Sequence, residues 1–305
     1  MSIGTPRCRH LALALAACLG AALAAEPPIK GDIRHAFILA DNGRGRILRY
    51  STEGKLVWEC HAPNAYDVQV LPNGNVLFAF RIKGRDHGVR EVTPEKKVVW
   101  EYRTTGEVFA CERLPNGNTL VGECTNTRLV EVDPEGKVAR EIKVKAKRAG
   151  HGAMRLVRST KQGTYLVGHP ADRAVREYNA AGDVVREIKT PGTAYGATRL
   201  ENGNTLISCE HVVLEVDKND KVVWSVTDKE IPEVGAKWMT TAIRLPNGNT
   251  VICNWLGHRQ EGKGRPLFEV TKDKKVVWQF TDVATTRHVS SFRILDANLE
   301  AEPTK

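Results

Sequence analysis

Short runs of alternating apolar and polar residues follow one another along most of the chain, separated by turn residues. The clearest example lies between Cys111 and Ile142, where four such runs are joined by Asn116-Gly117, a variable loop and Asp133-Pro134-Glu135-Gly136. Alternation with a period of two over five or six positions predicts β-strands. The Asn-Gly pair predicts a tight primed hairpin turn, and the Asp-Pro-Glu-Gly segment predicts a second turn with a left-handed glycine.

This four-strand pattern is repeated along the chain. The asparagine of the Asn-Gly pair recurs at intervals of about 43 to 45 residues, with one diverged copy at residues 156–164; it is found at Asn73, Asn116, Asn202 and Asn247. Four antiparallel strands in a repeat of this length are typical of the blades of a β-propeller.

The two ends of the chain complete one repeat between them. Residues 36–60 contain three strands without a first strand, whereas residues 289–295 resemble an isolated first strand. These segments predict a composite blade in which the C-terminal strand joins the N-terminal blade and closes the ring. With five complete repeats, the prediction is an all-β, six-bladed β-propeller of four-stranded antiparallel blades over residues 36–296. Closure pairs the inner edge of the N-terminal blade, which would otherwise be exposed.

Large side chains recur in the fourth strand of each repeat. Four repeats have tryptophan there and two have arginine, at Trp58, Trp100, Trp224, Trp278, Arg140 and Arg186. A periodic tryptophan predicts packing between adjacent blades, because one large aromatic side chain fills the wedge between two twisted sheets.

The first residues differ from the repeats. Arg7 and Arg9 precede an apolar run that ends in small residues at position 25, which predicts a signal peptide over residues 1–25, a linker over 26–35 and a C-terminal tail over 297–305. Leu15-Ala16-Ala17-Cys18 also fits a lipoprotein signal, so a lipid tether at Cys18 is the alternative to simple cleavage. No later segment is apolar enough for a transmembrane helix. A periplasmic or secreted protein, monomeric as a closed propeller, is expected.

The chain is basic, with a formal net charge of +9, of which two charges belong to the leader. Nucleic acid is not an expected partner of an exported protein. Lysines recur at one repeat position and so surround the molecule, at Lys55, Lys97, Lys137, Lys221 and Lys275. Such a distribution indicates a solvated rim, and contact with polyanions or proteins through this rim is an alternative.

Five cysteines remain after the leader, at Cys60, Cys111, Cys124, Cys209 and Cys253. Export permits disulfides, but the number is odd and there is no CxxC pair for metal or redox chemistry. The hairpin register predicts that Cys111 faces Gly122 rather than Cys124. Buried free thiols are therefore expected, with a Cys111–Cys124 disulfide as the alternative.

Two phrases, residues 113–120 and 244–251, resemble the blade repeats of bacterial arylsulfotransferases, which are exported six-bladed propellers. The turn at residues 133–137 and the strand at residues 55–58 resemble the repeats of quinoprotein (PQQ-like) propellers. Those quinoproteins have eight blades and a vicinal cysteine pair above the cofactor, neither of which is found here, so no cofactor is expected. The first resemblance implies sulfuryl transfer by a histidine in the central funnel, although the histidines of this chain do not match that family's pattern one by one.

Candidate site residues come from the first strands, which line the channel of a propeller. Alignment on the Arg-Leu pair that ends each first strand places one variable residue four positions earlier in every blade: Tyr66, Phe109, His151, Tyr195, Thr240 and Ser290. Asp67, Trp238 and His288 adjoin this ring. Two tyrosines, histidines and aromatic walls suit a planar or anionic ligand.

Other polar residues are weaker candidates for the functional site. His258 lies in a long loop, residues 255–266, that is expected to form a rim or lid. His169 and His211 follow second strands, where loop contacts are expected. Arg128 and Arg173 precede third strands, where bracing of loops between blades is expected and contact with an anion in the funnel is the alternative. No spacing demands a metal site, and one acid, Asp67, does not make a paired-carboxylate hydrolase.

Three functions remain open from the sequence. The first is noncatalytic binding of a small ligand or protein partner at the channel mouth by the ring residues. The second is sulfuryl transfer with His151 as the nucleophile. The third is a scaffold that contacts proteins or polyanions through its basic rim.

Overall fold

The structure, a computed structural model, describes residue 1 and residues 27–295 except 83 and 85. The rest of the predicted leader, including Cys18, and the predicted C-terminal tail lie outside the described residues. Among the residues it describes, no helix is long and apolar enough to cross a membrane.

Twenty-five strands form six antiparallel sheets within the described residues. Blade 1 contains β2 (Phe37–Asp41), β3 (Arg46–Tyr50), β4 (Leu56–His61) and β25 (Val289–Ile294). Blade 2 contains β5 (Val68–Val70), β6 (Val76–Arg81), β7 (His87–Val92) and β8 (Val98–Thr104). Blade 3 contains β9 (Val108–Arg113), β10 (Thr119–Glu123), β11 (Arg128–Val132) and β12 (Val138–Lys143).

The second half of the ring follows the same plan. Blade 4 contains β13 (Val157–Ser159), β14 (Tyr165–His169), β15 (Ala174–Tyr178) and β16 (Val184–Lys189). Blade 5 contains β17 (Ala194–Arg199), β18 (Thr205–Cys209), β19 (Val212–Val216) and β20 (Val222–Thr227). Blade 6 contains β21 (Trp238–Arg244), β22 (Thr250–Trp255), β23 (Leu267–Val270), β24 (Val276–Phe280) and an added strand, β1 (Ile29–Gly31). Short 3-10 helices occur at Gly150–Gly152, Pro170–Asp172 and Pro232–Val234.

The predicted architecture is confirmed. Each blade is a four-stranded antiparallel sheet with its first strand innermost, and blade 6 has β1 as a fifth strand. The C-terminal strand β25 pairs with β2, from Phe37 opposite Ile294 to Asp41 opposite Val289. The ring is therefore closed by a blade that contains both ends of the propeller sequence.

The hairpins that follow the first strands of blades 2 to 6 differ from the predicted primed turn. In blade 3, the Gly117 N–H donates to the Leu114 carbonyl at 3.0 Å, and Gly117 has a left-handed φ of 87° while Asn116 does not. Pro115 fixes a negative φ at the second turn position, which a primed turn cannot accommodate. The result is an ordinary β-turn followed by a glycine bulge.

The register of this hairpin also differs by one residue from the expectation. Cys111 pairs with Val121, and Gly122 pairs with Ala110. The outcome for the thiols is as expected, since all five described cysteines are free and buried.

The side chains at the fourth-strand position connect adjacent blades, as predicted for packing residues. The indole N–H of Trp58 donates to the Pro94 carbonyl of the next blade at 2.7 Å, and that of Trp224 donates to the Lys272 carbonyl at 2.8 Å. Arg186, which replaces tryptophan in blade 4, makes the equivalent bond to the Asp217 carbonyl at 2.6 Å. Either side chain therefore ties one blade to the turn of its neighbour.

The segment expected to be a linker contains a strand. Ile29 pairs with Phe280 and Gly31 pairs with Trp278, so β1 covers the outer edge of blade 6. Trp278 is fully buried beneath it, whereas the equivalent Trp58 and Trp224 are half-buried. The N-terminal segment thus protects one of the six outer edges.

Candidate functional site

A cavity of about 370 Å³ lies at the end of the channel where the inner strands begin, opposite the Asn-Gly hairpins. All six blades contribute to its wall, which consists of Asn42, Gly43, Asn64, Tyr66, Arg81, Phe109, His151, Arg155, Leu156, Tyr195, Thr240, Trp255, His258, Arg287, His288 and Ser290. Its volume is in the ordinary range for small-molecule sites, about 300–1,000 Å³.

The structure corrects the sequence alignment in blade 4. There the turn begins at Thr160, whose N–H donates to the Thr164 carbonyl at 2.9 Å, and Gly163 is left-handed, as Gly117 is in blade 3. The residue equivalent to Phe109 is therefore Arg155 and not His151. The alignment on Arg155-Leu156 was four residues out of step because this blade lacks the Leu-Pro-Asn-Gly-Asn sequence.

With this correction the ring has one member from each blade, and all six members line the cavity: Tyr66, Phe109, Arg155, Tyr195, Thr240 and Ser290. Five of them lie five residues before the first residue of their hairpin turn, and Ser290 lies five residues before Leu295, the equivalent position, so the repeat itself positions the ring. At this position the side chains differ from blade to blade, whereas the residues of the surrounding repeat are similar.

His151 lies on the rim of the same cavity as Tyr66 and Tyr195. It is carried by the short helix Gly150–Gly152, and its side chain is about half exposed. Its Nε2 lies 2.9 Å from a carboxylate oxygen of Glu107 and 2.9 Å from Nη1 of Arg81. Since Nε2 cannot donate to the acid and accept from the guanidinium at once, and Arg81 already donates to Glu107 at 2.6 Å, the carboxylate is the better partner.

Glu107 is held as an anion by these two neighbours. Burial raises the pKa of its carboxyl, but the hydrogen bonds and charges of His151 and Arg81 outweigh burial, and the net pKa is lowered. The three residues form an ion-paired rim in which the charge of Arg81 is already balanced.

Arg155 has no such partner. Its guanidinium carbon lies 4.3 Å from the centre of the Phe109 ring, a cation–π contact. Within the described residues its side chain makes no hydrogen bond or ion pair, and its Nε is buried without a partner. Burial lowers the pKa of this guanidinium, and the opposing interactions with neighbouring groups, led by Tyr195, do not outweigh it. The cavity therefore contains one uncompensated cation.

Aromatic side chains form the wall beside Arg155. The rings of Tyr66 and Phe109 are 4.2 Å apart between centroids, and Phe109 meets the edge of His151 at 5.1 Å. Burial raises the pKa of Tyr195 to about 12, so its hydroxyl is neutral. Within the described part of the chain, the hydroxyls of Tyr66 and Tyr195 have no hydrogen-bond partner, which leaves them available to a ligand.

A second group of rings lies on the side of blades 6 and 1. Trp255 contacts His258 at 5.5 Å and His288 at 6.0 Å between centroids, and the two histidines are 5.1 Å apart. Burial lowers the pKa of His288, partly offset by Glu261, whose carboxylate lies 3.0 Å from Nε2. His288 is therefore neutral near pH 7. The expectation that His258 lies on a rim agrees with its place in the cavity wall.

Two of the sequence-derived candidates lie outside the cavity wall. Trp238 stacks against Trp255 at 4.8 Å and donates its indole N–H to Glu210, while Gly257 packs on its ring. Asp67 is fully buried below the ring. Trp238 therefore supports the wall without forming it.

Asp67 belongs to a charge network that fills the channel under the cavity. It accepts two hydrogen bonds from Arg158 at 2.8 and 2.9 Å and one from the Ser291 hydroxyl at 3.0 Å. Arg293 lies 3.5 Å away. Burial opposes the charge of Asp67, but the two arginines outweigh it and lower the pKa of this carboxyl. The network closes the floor of the cavity.

The remaining polar candidates brace loops. His169 is buried between the Ala153 carbonyl and the Tyr178 hydroxyl, and His211 pairs with Asp228. Arg128 bridges Glu123 and Glu141, and Arg173 donates to the Pro191 carbonyl. These contacts agree with the structural roles expected for them.

Sequence reasoning missed several cavity residues, since they lie outside the first strands: Asn42, Asn64, Arg81, Trp255 and Arg287. Their signal is positional, because Asn42 and Arg81 end or follow second strands of their blades at the cavity end. No group of three or more metal-ligating side chains converges among the described residues.

The sequence matches no family model and no curated protein in the comparisons made. The structure is similar to the crystal structure of a protein of unknown function from Bacteroides caccae, with a TM-score of 0.77 and 26% identity over 86% of this chain and 99% of that chain.

Two lyase structures are more distant. One is a streptogramin B lyase, with a TM-score of 0.59 and 11% identity over 84% of each chain. The other is a catalytically inactive variant of virginiamycin B lyase from Staphylococcus aureus with quinupristin, with a TM-score of 0.59 and 13% identity over 83% of this chain and 88% of that chain. At these identities the likeness is one of fold alone. The resemblance to arylsulfotransferases and quinoproteins likewise extends no further than the propeller.

Proposed function

We propose that this protein binds a small monoanionic ligand with a planar body at the mouth of its channel, without transforming it. The observation that carries the proposal is Arg155, a cation without a partner in a concave site walled by aromatic rings. A desolvated charge is costly unless it is paired. A carboxylate on the ligand would supply the missing charge, in the planar geometry that a guanidinium matches with two hydrogen bonds.

The number of charges on the ligand follows from the pairing of the other cations. Three arginines line the cavity, and two of them already have acids: Arg81 pairs with Glu107 at 2.6 Å and Arg287 with Glu261 at 2.9 Å. No acid is among the described residues of the wall itself. One uncompensated positive charge favours a monoanion over a phosphate dianion.

Sulfuryl transfer has less support. The Nε2 of His151 is engaged by the Glu107 carboxylate, and the residue at its expected ring position is Arg155. Binding is therefore the better proposal for this site. We also propose that this binding occurs outside the cytoplasm, and the leader predicted from the sequence supports this part of the proposal.

The test uses the mature chain, residues 26–305, and a panel of aromatic monocarboxylates (benzoate, cinnamate, 2-naphthoate and indole-3-carboxylate). Each is titrated beside its uncharged amide by isothermal calorimetry. At least one carboxylate should bind at least tenfold more tightly than its amide, as expected for a charge-assisted hydrogen bond of about 1.5–3 kcal/mol.

Variants locate the interaction. Arg155→Gln should weaken carboxylate binding by about 10- to 100-fold, whereas Arg173→Gln, which removes an exposed arginine bonded to the Pro191 carbonyl, should leave it unchanged. The proposal fails if no carboxylate binds, if the amides bind equally well, or if Arg155→Gln binds like the wild type. Conversion of an aryl sulfate and a phenol to new products, lost in His151→Ala, would favour the enzyme instead.

A further inference from the structure

Three buried polar atoms on the far side of the cavity have no hydrogen-bond partner within the described residues: Oδ1 of Asn42, the indole Nε1 of Trp255 and Nε2 of His288. Nε2 of His288 lies at an ion-pair distance of 3.0 Å from the Glu261 carboxylate, which leaves Asn42 and Trp255. Both of these residues line the cavity. Buried polar atoms without partners are few in native proteins, and each costs about 1–3 kcal/mol unless something satisfies it. Their presence in the wall of one cavity points to a bound group.

The topology places these atoms across the channel from Arg155. Arg155 belongs to blade 4, and Asn42 directly follows β2 of blade 1, which faces blade 4 in a ring of six. Trp255 ends β22 in the adjacent blade 6. His288 links the two, since its carbonyl accepts the Asn42 N–H at 3.0 Å and its ring lies 6.0 Å from that of Trp255. Asn42 and Trp255 therefore form one polar pole opposite the cation.

The polar pole is suited to a neutral group. Burial lowers the pKa of His288, so it is uncharged near pH 7, and the nearby Glu261 is already engaged by Arg287 and His288. The pole offers a donor, the Trp255 N–H, and an acceptor, the Asn42 oxygen. A group with an N–H beside a carbonyl satisfies both, and an amide also matches Asn42 in either orientation of its own amide group.

We infer that the ligand carries an amide-type edge opposite its carboxylate, with its carbonyl accepting from Trp255 Nε1 and its N–H donating to Asn42 Oδ1. The ligand class is then a planar monocarboxylate with a carboxamide or lactam at its other end. This inference rests on the proposed function, because it takes the carboxylate at Arg155 as the first point of attachment.

The experiment compares benzoate with 3- and 4-carbamoylbenzoate on the mature chain by calorimetry. Two additional hydrogen bonds, each worth about 1 kcal/mol net, should make at least one carbamoyl isomer bind about tenfold more tightly than benzoate. Trp255→Phe keeps a ring but removes the donor, and Asn42→Ala removes the acceptor. Measured against its own benzoate affinity, each variant should reduce the gain to about threefold or less. The circular dichroism spectrum and the urea unfolding midpoint of each variant should match those of the wild type, which shows that it is folded.

The matched control is Trp238→Phe, which alters a tryptophan that stacks on Trp255 but donates to Glu210 outside the cavity wall. It should preserve the gain. The inference is overturned if neither isomer binds more tightly than benzoate, or if the gain survives in both Trp255→Phe and Asn42→Ala. Benzoate binding that still depends on Arg155 in that case would leave the proposed function standing, whereas loss of all carboxylate binding would remove both.

Discussion

Arg155 and Arg158 lie three residues apart on the inner segment of blade 4, yet only Arg158 has a carboxylate partner. Arg158 makes two hydrogen bonds with the fully buried Asp67, at 2.8 and 2.9 Å. Arg155 rests on the ring of Phe109 with its Nε unsatisfied. The first arginine closes the channel floor, and the second faces the cavity. Arg158 is therefore a structural cation, whereas Arg155 is available to a ligand.

Replacing Arg155 should stabilise the free protein. Arg155→Met keeps an apolar chain of similar length against Phe109 and removes a desolvated charge without a partner. We expect the free energy of unfolding to rise by about 1–2 kcal/mol, measured by urea denaturation without ligand. A loss of stability in this variant would mean that the guanidinium has a stabilising partner in solution.

Replacing Arg158 should have the opposite effect. Arg158→Met leaves the buried carboxylate of Asp67 with Arg293, at 3.5 Å, as its one charged partner among the described residues, and a broken buried pair costs about 3–5 kcal/mol. The free energy of unfolding is measured by the same denaturation. The double variant Arg158→Met with Asp67→Asn should recover part of this loss; no recovery would show that the cost lies in packing and not in charge.

His169 should make blade 4 sensitive to acid. Burial lowers its pKa from the ordinary value of 6.5 to about 4. Its neutral form donates from Nδ1 to the Ala153 carbonyl at 2.5 Å and accepts at Nε2 from the Tyr178 hydroxyl at 3.0 Å. Below pH 6.5 the imidazole of His169 is protonated in the unfolded chain. In the folded chain it stays neutral until the pH falls to about 4. Its contribution to stability is therefore complete above pH 6.5 and is lost between pH 6.5 and 4, by up to about 3 kcal/mol.

The measurement is the free energy of unfolding at pH 7, 5.5 and 4.5 for the wild type and His169→Gln. The variant should be less stable at pH 7 and should lose less stability on acidification. His211→Gln, at an exposed histidine paired with Asp228, is the control and should follow the wild type. Parallel pH curves for the wild type and His169→Gln would exclude His169 as the acid-sensitive group.

Much of the fold could be predicted from the sequence, because the same four-strand pattern recurs at a nearly constant interval along the chain. Turn residues recur at fixed positions in the repeat. One end of the chain supplies three strands of a blade and the other end supplies the missing first strand, so the number of blades and the closure of the ring can be deduced. The short strand at Ile29–Gly31 could not be predicted, since it has no repeat partner and its pairing depends on the outer edge of blade 6 being reachable.

The site was only partly predictable, for a local reason. The ring is set by the distance to the hairpin, and in blade 4 that hairpin is Thr160-Lys161-Gln162-Gly163-Thr164. Its glycine was the usable signal, because the backbone there must turn left-handed as it does at Gly117. Alignment on an arginine instead of on that glycine selected His151 in place of Arg155. The place of Trp255 in the cavity wall, at the end of β22, depends on tertiary packing, which the repeat does not encode.

The cysteines should be unreactive in the folded protein. All five are buried and free, and burial raises the pKa of Cys124, Cys209 and Cys253 to about 12. The reactive thiolate is therefore scarce and enclosed. Ellman's reagent at pH 8 should titrate none of the five thiols in the native mature chain and all five in 6 M guanidinium chloride. Rapid reaction of even one thiol before unfolding would contradict this burial.

The strand β1 should stabilise blade 6. At Gly31, with φ of 100°, an added Cβ would lie 2.1 Å from the Val277 carbonyl oxygen, so Gly31→Val should displace the strand and expose Trp278. We expect a loss of about 1–3 kcal/mol and stronger acrylamide quenching of tryptophan fluorescence. Gly203→Val, at a left-handed glycine with open space around it, isolates the cost of φ alone and should leave quenching unchanged. Equal quenching in both variants would argue against a covering role for β1.

The pairing of Phe37 with Ile294 joins positions separated by nearly the whole length of the chain. The innermost strand of blade 1 is consequently the last part of the propeller to be synthesised, and until it arrives β2 has an open inner edge. Contacts between such distant positions form late, because the loop between them must first be closed. The complete ring therefore forms only after β25 has been synthesised, and until then the nascent chain has an unclosed seam between its first and last blades.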